Sequence, residues 1–509
     1  MIQHVHAPLY EMLLKHAESQ PVSFHVPGHR YGKAFRLGKP QQEGEGQEPV
    51  FIKEMKETFA AIMKLDVTEL SATDDLHHPE GAIAEAQSLA ARCFGVEESF
   101  FLVGGSTSGN LAMLLAVCEP GDYILVQRNV HKSVINGLKL AGARAVFIMP
   151  QIDEPTGIAT QPSLAQVKMT MDLYPQAKAV FLNNPNYYGM SVNLQPYAEA
   201  IHQCGMLLLV DEAHGAHYGL HPKLPVSAIA AGADAVVQST HKTLTALTMG
   251  AMLHVQGALL NRTAIREALA TIQSSSPSFP IMASLDISRA MIEAAGADWF
   301  DDALAVAAYL RKGIEECCAA IEILKQSDDR LSVMPAYNQL DPLRVVLCDR
   351  TGALSGFEIL KLLEQQGCWA EMADMRHVVL LLGIGIQFED ADRLIQACQA
   401  VEMIIASKGR VITEQPLARA GSLLFLPESV EPIAFSRVSK GTVVRVKLKD
   451  AINCRAAEMV VPYPPGIPIV YPGELLTAEM LGYIKELASS GAKFQGAEDP
   501  AMQSIAIVE

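Results

Sequence analysis

One lysine of this chain stands among hydroxyl and imidazole side chains that could support covalent chemistry. Lys242 lies in QSTHKTLTALTMG, residues 238–250, directly after a short apolar run that predicts a strand. A lysine amine can form a Schiff base when partial burial lowers its pKa. Because most lone lysines are ordinary surface residues, this prediction depends on what else the chain brings to the same place.

A carboxylate at the end of another apolar strand supplies a second group. Asp211 lies in MLLLVDEAHG, 31 residues before Lys242, which leaves room for one crossover helix and one strand. A carboxylate there can keep a pyridine nitrogen protonated, so that the ring becomes an electron sink, and His214 is expected near that ring. Two alternatives stay open. Asp211 could merely cap a turn, or His214 and His217 could bind a metal, although no third ligand is suitably spaced.

A glycine-rich turn between a predicted strand and a predicted helix could bind a phosphate. GGSTSGN, residues 104–110, follows SFFLV and precedes LAMLLAVC. Glycines permit close backbone approach, and the free amides of a helix N-terminus attract an anion. The hydroxyls would come from Ser106, Thr107 and Ser108, and the alternative is an ordinary helix cap. The turn matches neither GxxxxGK[ST] nor GxGxxG, so nucleotide binding is not the first choice.

Three more side chains complete the predicted site. Ser239 could add a phosphate contact and His241 could move protons. His131, which follows the strand DYILVQ, could stack on a cofactor ring, although alone it reads as an ordinary helix-start histidine. Together these groups fit one cofactor, pyridoxal 5′-phosphate (PLP), and no metal. The predicted catalytic residues are Lys242, His241 and Asp211.

The elements that must position these residues follow a regular alternation. From about residue 80, short continuous apolar strands alternate with helices, which predicts an α/β fold with a mostly parallel sheet covered on both faces. Residues 301–324 predict one long helix, and Pro and Gly return after about residue 410. The predicted units are an N-terminal arm (1–50), a large PLP-binding domain (51–300), a smaller α+β domain (301–410) and a C-terminal domain (411–509).

Composition excludes several classes of protein. The formal charge is −16, from 40 Lys and Arg against 56 Asp and Glu, the wrong sign for tracking a nucleic-acid backbone. The nine cysteines form no CxxC pair, which predicts reduced thiols. The sequence shows no signal peptide and no membrane-spanning stretch. We therefore expect a cytoplasmic enzyme with a small-molecule substrate.

The four clusters together resemble the Orn/Lys/Arg decarboxylase family of fold-type-I PLP enzymes. Several further stretches resemble the family in the same order, so the resemblance spans nearly the whole chain. These stretches are FHVPGHRYG (24–32), DVTELSATDDLHHPEGAIAEAQ (66–87), FFLVGGSTSGN, NVHKS, VDEAHGAH, STHKTL, SSSPSFPIMASLD (274–286) and VVPYPPGIPIVYPGE (460–474).

The resemblance implies a role for each site residue. Lys242 would form the Schiff base with PLP, Asp211 would pair with the pyridine nitrogen, His131 would stack on the ring and His214 would lie beside the cofactor. The remaining predicted contacts to the phosphate and the Schiff base are Ser106, Thr107, Ser108, Ser239 and His241.

The resemblance also implies an assembly and an activity. Residues 274–277 (SSSP) would approach the site of a partner subunit, which implies a homodimer with shared active sites. The expected reaction converts arginine, lysine or ornithine into its amine and CO₂. The chain resembles the short form, without an N-terminal regulatory-like domain. It departs from many members in TMGA, residues 248–251, which leaves the substrate open.

A cationic side chain requires a carboxylate in the pocket. The candidates are Asp74, Asp75, Glu80 and Glu474, each of which could equally be a turn or cap residue. The Pro-rich run near residue 465 could form a rigid wall or a plain connector. Two other functions stay open: aminotransfer, which would need a group, usually Arg, for the α-carboxylate, and PLP binding without turnover, as in a regulator.

Overall fold

The computed structural model of the chain describes residues 5–35, 50–325, 335–408, 431–435, 441–463 and 466–508. The predicted boundary at residues 410–411 lies outside the described residues, as does most of the Gly-rich part of the predicted arm. The domain boundaries therefore stay predictions.

The first part of the chain alternates helices and strands as the sequence predicts. Its helices are α1 Pro8–Glu18, α2 Val50–Leu65, α3 Ala82–Phe94, α4 Gly105–Val117, α5 Lys132–Ala141, α6 Leu164–Leu173, α7 Gln195–Gln203, α8 Thr240–Thr243, α9 Arg262–Ile272 and α10 Phe279–Ala295. Its strands are β1 Glu98–Leu102, β2 Tyr123–Gln127, β3 Arg144–Ile148, β4 Ile152–Asp153, β5 Ile158–Ala159, β6 Ala179–Asn183, β7 Met190–Ser191, β8 Leu207–Asp211, β9 Ala235–Gln238 and β10 Ala251–Val255.

The rest of the chain contributes smaller sheets and long helices. The middle elements are α11 Asp301–Cys317, β11 Ile321–Ile323, β12 Gln339–Leu340, β13 Arg344–Asp349, α12 Gly356–Gln365, β14 Met372–Ala373, β15 His377–Leu381 and α13 Phe388–Lys408. The last elements are β16 Ile433–Ala434, β17 Val443–Lys447, β18 Arg455–Ala456, β19 Pro462–Tyr463, α14 Ala478–Ser489, β20 Lys493–Phe494 and β21 Ser504–Val508.

The largest sheet has the strand order β1-β10-β9-β8-β6-β2-β3-β16. Its central pairs β9-β8, β8-β6, β6-β2 and β2-β3 are parallel, and the pairs toward both edges are antiparallel. Strands such as β6 are buried along their whole length, because helices cover both faces of a parallel sheet. The predicted mostly parallel α/β sheet is confirmed.

One four-stranded sheet, one three-stranded sheet and three two-stranded sheets accompany the large sheet in the described residues. The middle part of the chain forms the antiparallel sheet β11-β13-β15-β14, which packs against α11, α12 and α13 in one apolar cluster. The end of the chain forms the sheet β17-β21-β18 with α14 in another.

Three details correct the sequence-based expectations. The helix predicted over 301–324 ends at Cys317, and Ile321–Ile323 forms a strand instead, because alternating Ile, Glu and Ile fit the edge of β13. The segment 212–234 between β8 and β9 contains turns and no helix. Strand β16, from the predicted C-terminal domain, extends the large sheet beside β3.

All nine cysteines are free thiols. No helix within the described residues is long and apolar enough to cross a membrane.

Candidate active site

The two central candidates lie at the same edge of the large sheet. Asp211 is the last residue of β8, and its backbone is in register with Val237 on the adjacent parallel strand β9. Ser239 follows the last residue of β9, and the one-turn helix α8 comes next. Lys242 lies in that helix. Since parallel strands deliver their carboxyl ends to one edge, this topology brings the carboxylate and the amine together.

Glycine 109 allows the predicted phosphate turn to approach the same edge. A Cβ atom at Gly109 would lie 2.4 Å from Val237 Cγ2 and 2.9 Å from Leu102 Cδ1. These distances are too short for real contacts, so α4 packs directly on β9 and β1 because residue 109 has no side chain. The N-terminus of α4 is thereby fixed beside the strand that leads to Lys242.

The Lys242 amine is placed in contact with an imidazole. Its Nζ atom lies 2.9 Å from His214 Nε2 and 5.8 Å from the centre of the Tyr187 ring. Burial lowers the pKa of Lys242, and the positive charge of Arg344 acts in the same direction, against the charge of Asp211. A lowered pKa is the property that a Schiff-base lysine requires.

Asp211 is held by a ladder of hydrogen bonds that ends at His131. Asn110 Nδ2 donates to Asp211 Oδ2 (2.8 Å) and to Ser133 Oγ (2.9 Å). Ser133 Oγ lies 2.8 Å from His131 Nδ1. Burial raises the pKa of Asp211, while the Asn110 hydrogen bond and the Lys242 charge oppose that shift. The ladder therefore fixes the carboxylate and the imidazole relative to each other.

His131 is an uncharged imidazole at the start of α5. Its side chain caps the helix by accepting from the Ser133 amide at 3.2 Å, which is the ordinary helix-start role named as the alternative. Burial and the nearby Lys242 charge lower its pKa to about 4. A Cβ at Gly466 would lie 3.4 Å from the His131 ring, so the backbone at Gly466 packs against this imidazole.

His214 joins the lysine to a buried guanidinium. Its Nδ1 atom lies 3.3 Å from Arg344 Nη2, and its ring lies 4.4 Å from the Tyr187 ring. Arg344 is 1% exposed, and its Nε and Nη1 atoms have no hydrogen-bond partner in the structure. Burial and the charges of Lys242 and Arg344 lower the pKa of His214 well below its ordinary value.

Two backbone carbonyls of the loop after Lys242 bind His241 and the first residue of α4. His241 Nδ1 lies 2.9 Å from the Gly250 carbonyl oxygen. Because a carbonyl only accepts, Nδ1 carries the proton and Nε2 is free to accept one. The next carbonyl back along the chain, that of Met249, accepts from the Gly105 amide at 2.9 Å. The loop thus links the lysine turn to the first residue of α4.

The hydroxyl side chains divide into two groups. Ser106 and Thr107 lie in the first turn of α4, half-buried and exposed respectively, whereas Ser108 is buried and donates to the Gly105 carbonyl at 2.8 Å. Ser239 is fully buried and its Oγ atom has no partner. The hydroxyl of Ser108 thus closes the turn, and Ser239 keeps an open hydrogen-bonding position.

Several important residues were not selected from the sequence. Asn110 and Ser133 close the quoted motifs GGSTSGN and NVHKS, so they could have been found by asking which polar side chain fixes Asp211. Arg344 had only a weak signal, a charge at the start of an apolar strand that is remote in sequence from the site.

The carboxylates proposed to recognise a cationic side chain have structural contacts. Asp74 accepts from four backbone amides at the start of α3, those of Asp75, Glu80, Gly81 and Ile83, which together lower its pKa. Asp75 Oδ1 accepts from the His77 amide, and Glu80 is an exposed residue 3.6 Å from His78.

Glu474 forms a buried ion pair with Arg128 at 3.0 Å. It was proposed to recognise the substrate, and the structure assigns it to this pair.

The two histidines of the metal alternative have different partners. His214 contacts Lys242 and Arg344, whereas His217 Nε2 lies 3.0 Å from Asp341 Oδ2. Across the parts of the chain that the structure describes, no group of three or more candidate ligands is assembled.

Comparison with known proteins identifies the family. The family model "Orn/Lys/Arg decarboxylase, major domain" matches residues 7–390, and the model of the C-terminal domain matches residues 425–503. The chain belongs to the Orn/Lys/Arg decarboxylase family. This finding confirms the resemblance seen in the sequence motifs.

Individual relatives of this family member extend over its whole length. The uncharacterised protein YaaO of Bacillus subtilis is 39% identical over 97% of this chain and 96% of its own length. The arginine decarboxylase of Bacillus subtilis is 33% identical over 100% of this chain and 99% of its own. Lysine decarboxylase A of Pseudomonas aeruginosa superposes with a TM-score of 0.81 at 21% identity, over 99% of this chain and 80% of that one. That likeness shows a shared fold, and the predicted fold-type-I architecture is confirmed.

Proposed function

We propose that this family member is a PLP-dependent carboxy-lyase that converts a basic amino acid, arginine, lysine or ornithine, into the corresponding amine and CO₂. The observation that carries the proposal is the buried network at the ends of β8 and β9, where Lys242 contacts His214 and Asp211 is held by Asn110. Arginine is the first substrate to test, because relatives named arginine decarboxylase are 30–33% identical over nearly the full chain.

The residues present fit PLP. Buried polar atoms without partners are rare in folded proteins, yet several lie around this site. Ser239 Oγ, Thr243 Oγ1 and Asn110 Oδ1 are buried and unpartnered. We assign the phosphate to Ser239 and the first turn of α4, the ring to His131 and Asp211, and the carbonyl carbon to the Lys242 amine.

The chain's residues supply electrostatics and proton transfer. PLP, when bound, provides an electron sink for the pair released at the substrate α-carbon. The Asp211 carboxylate balances positive charge at the ring nitrogen, and Asn110 holds it in place. Lys242 Nζ is the atom that can return a proton to the α-carbon after CO₂ leaves, with His241 Nε2 as the alternative.

The substrate side chain requires a free carboxylate, and we propose Glu371. It is an exposed residue that precedes β14, and its charge opposes the lowering of the pKa that burial causes at both Lys242 and His241. Asp74 and Glu474 are committed to backbone amides and to Arg128, which leaves them unsuited to this role.

We further propose a homodimer with shared active sites. Large apolar side chains are exposed on the N-terminal segment and on α2, among them Phe24, Phe51 and Phe59, and Leu247 and Met249 are exposed in the loop after Lys242. Exposed apolar surface of this kind favours association. Ser274 and the two following serines are exposed as well, as a contact with a partner's site would require.

The test supplies the purified protein with PLP and offers arginine, lysine, ornithine and a set of non-basic amino acids separately. CO₂ release and the amine product, identified by mass, are followed, with Lys242→Ala as the control. One basic amino acid that yields its amine, with no product in the control, supports the proposal.

A visible absorption band with no CO₂ from any amino acid would keep the cofactor and contradict the reaction. Keto-acid formation would then indicate aminotransfer, with Arg344 as the cation for the α-carboxylate.

A further inference from the structure

Three side chains at the site form a chain of nitrogen–nitrogen contacts whose proton positions can be counted. Arg344 Nη2 lies 3.3 Å from His214 Nδ1, and His214 Nε2 lies 2.9 Å from Lys242 Nζ. The imidazole therefore lies between two groups that are normally both cationic donors, and it must satisfy each contact with a different ring nitrogen.

Donor counting leaves one arrangement. A guanidinium has hydrogen-bond donors and no acceptor, so His214 Nδ1 must accept from Arg344. A neutral imidazole that accepts at Nδ1 carries its proton on Nε2. That Nε2–H points to Lys242 Nζ, which can accept it only with a free lone pair. An ammonium at Lys242 would place two hydrogens against each other.

We propose that Arg344 is a positioning residue that holds the His214 proton on Nε2 and thereby keeps the Lys242 nitrogen unprotonated and nucleophilic. Its importance for catalysis rests on the proposed function, whereas the proton position itself does not.

The surroundings of Arg344 support this role. No carboxylate of the described residues forms an ion pair with it, and its contact with His214 is the one side-chain hydrogen bond that the structure gives this guanidinium. The buried Asp341 carboxylate acts on Arg344 electrostatically, but its direct contact is with His217 at 3.0 Å. Buried donors that the fold leaves unsatisfied are costly for folding, which argues for a functional reason to keep this guanidinium. The titratable and charged groups that act on Lys242 and His214 are Asp211, Glu371, Arg344, His131 and His241.

The experiment measures the reactivity of Lys242 in the full-length protein. Hydroxylamine treatment and dialysis first remove any aldehyde bound to the lysine. Competitive acetylation with acetic anhydride is then followed from neutral to alkaline pH by mass spectrometry of the peptide that carries Lys242, with the exposed Lys223 as internal reference. The proposal expects Lys242 to acetylate with a midpoint below that of Lys223.

The variant Arg344→Met should raise the Lys242 midpoint by one pH unit or more, equivalent to about a tenfold loss of reactive amine near neutral pH. Arg350→Met, the same replacement at an exposed residue just after β13, should leave it unchanged. An unchanged midpoint in folded Arg344→Met protein would overturn the proposal.

Charge repulsion alone could also lower the midpoint, and a double-mutant cycle separates the two causes. If the proton relay operates, Arg344→Met has a much smaller effect in the His214→Phe background than in the wild-type background. An effect of full size in that background would refute the relay.

A measurement on the wild-type protein reports the proton position directly, and a variant serves only to assign the signal. Nitrogen-15 NMR of the histidine side chains reports which ring nitrogen carries the proton, and loss of one signal in His214→Gln assigns it. The Nε2–H tautomer is expected at His214, and the Nδ1–H tautomer would contradict the proposal. Neither readout requires substrate or turnover, so a negative decarboxylation assay leaves this test intact.

Discussion

Two buried arginines of this decarboxylase-family member have opposite surroundings. Arg128, which follows β2, places its guanidinium 3.7 Å over the Tyr471 ring, donates to both carboxylate oxygens of Glu474 at 3.0 Å and also donates to the carbonyls of Pro468 and Ile469. Arg344, which begins β13, has a neutral imidazole for a partner and two unpartnered donors.

The difference in their surroundings indicates that Arg128 stabilises the fold, whereas Arg344 is available for the chemistry of the site. The Arg128 region joins the C-terminal part of the chain to the large sheet, and its charge is neutralised where it lies. The Arg344 region leaves hydrogen-bonding capacity unsatisfied next to Lys242. A buried group that the protein itself does not satisfy is therefore the better guide to the site.

The largest effect on stability should come from breaking the compensated pair. Arg128→Met leaves the Glu474 carboxylate buried and unpaired, which should lower the free energy of unfolding by about 3–5 kcal/mol. Arg344→Met breaks no direct ion pair and leaves Asp341 in contact with His217, so it should lower the free energy of unfolding by less, by about 1.5 kcal/mol, the worth of one hydrogen bond. Urea unfolding of both variants tests this contrast. Equal losses of unfolding free energy in the two variants would contradict the conclusion that only Arg128 has a mainly structural role.

A second pair of variants compares two buried aspartates at opposite ends of the adjacent parallel strands β8 and β9. Asp211→Asn should reduce kcat/KM roughly 10²–10³-fold, the usual cost of losing one preorganised electrostatic group, with little change in stability because burial already disfavours the charge. Asp234, equally buried at the opposite end of β9, binds the Leu208 amide and His202. Asp234→Asn should therefore destabilise the protein and spare kcat/KM, and a large loss of activity there would contradict the contrast.

Glu212 tests whether a residue adjacent to the site can be purely structural. Its carboxylate accepts from the Ala228 amide and from Gln238 Nε2, both at 2.7 Å, and burial raises its pKa to about 8. Folding therefore takes up a proton, so its contribution to stability should fall as pH rises from about 4.5 to about 8.

Relative to Glu212→Gln, the wild type should lose about 3–4 kcal/mol between pH 5 and pH 8, at about 1.4 kcal/mol per pKa unit. Urea unfolding of both proteins across this pH range provides the measurement. Parallel stability curves would show that folding does not raise the pKa of Glu212.

The smallest effect is expected at the edge of the site. Glu371→Gln should raise KM for the basic substrate about 3–10-fold, near 1 kcal/mol for one solvent-exposed charge contact. KM for a non-basic substrate should stay constant, as should both values in Glu389→Gln, which changes an exposed acid on α13. Equal changes for basic and non-basic substrates would mean that Glu371 does not contact the side chain.

The strands that end at the site were predictable, whereas the error in the helix that follows residue 300 has a non-local cause. Apolar runs such as MLLLV and AKAVFLNN predict buried parallel strands, and both form. The helix predicted to reach residue 324 ends at Cys317, because the strand partner of Ile321–Ile323 lies more than twenty residues further along the chain. Local patterning cannot weigh that distant pairing against continuation of the helix.

The sequence by itself determined the chemistry and the order of its parts: a lysine and an aspartate each following a buried strand, a glycine-rich helix start between strand and helix, and motifs sufficient to identify the family. These are local signals, carried by residue type and short spacing. Only the tertiary structure decided that Asn110 and Ser133 join Asp211 to His131, that Glu474 is paired with Arg128, and that Arg344 meets His214 across 130 residues of chain. The physical reason is that burial and hydrogen-bond pairing are properties of the packed chain, and they determine which polar groups are satisfied within the fold and which are left available for a ligand.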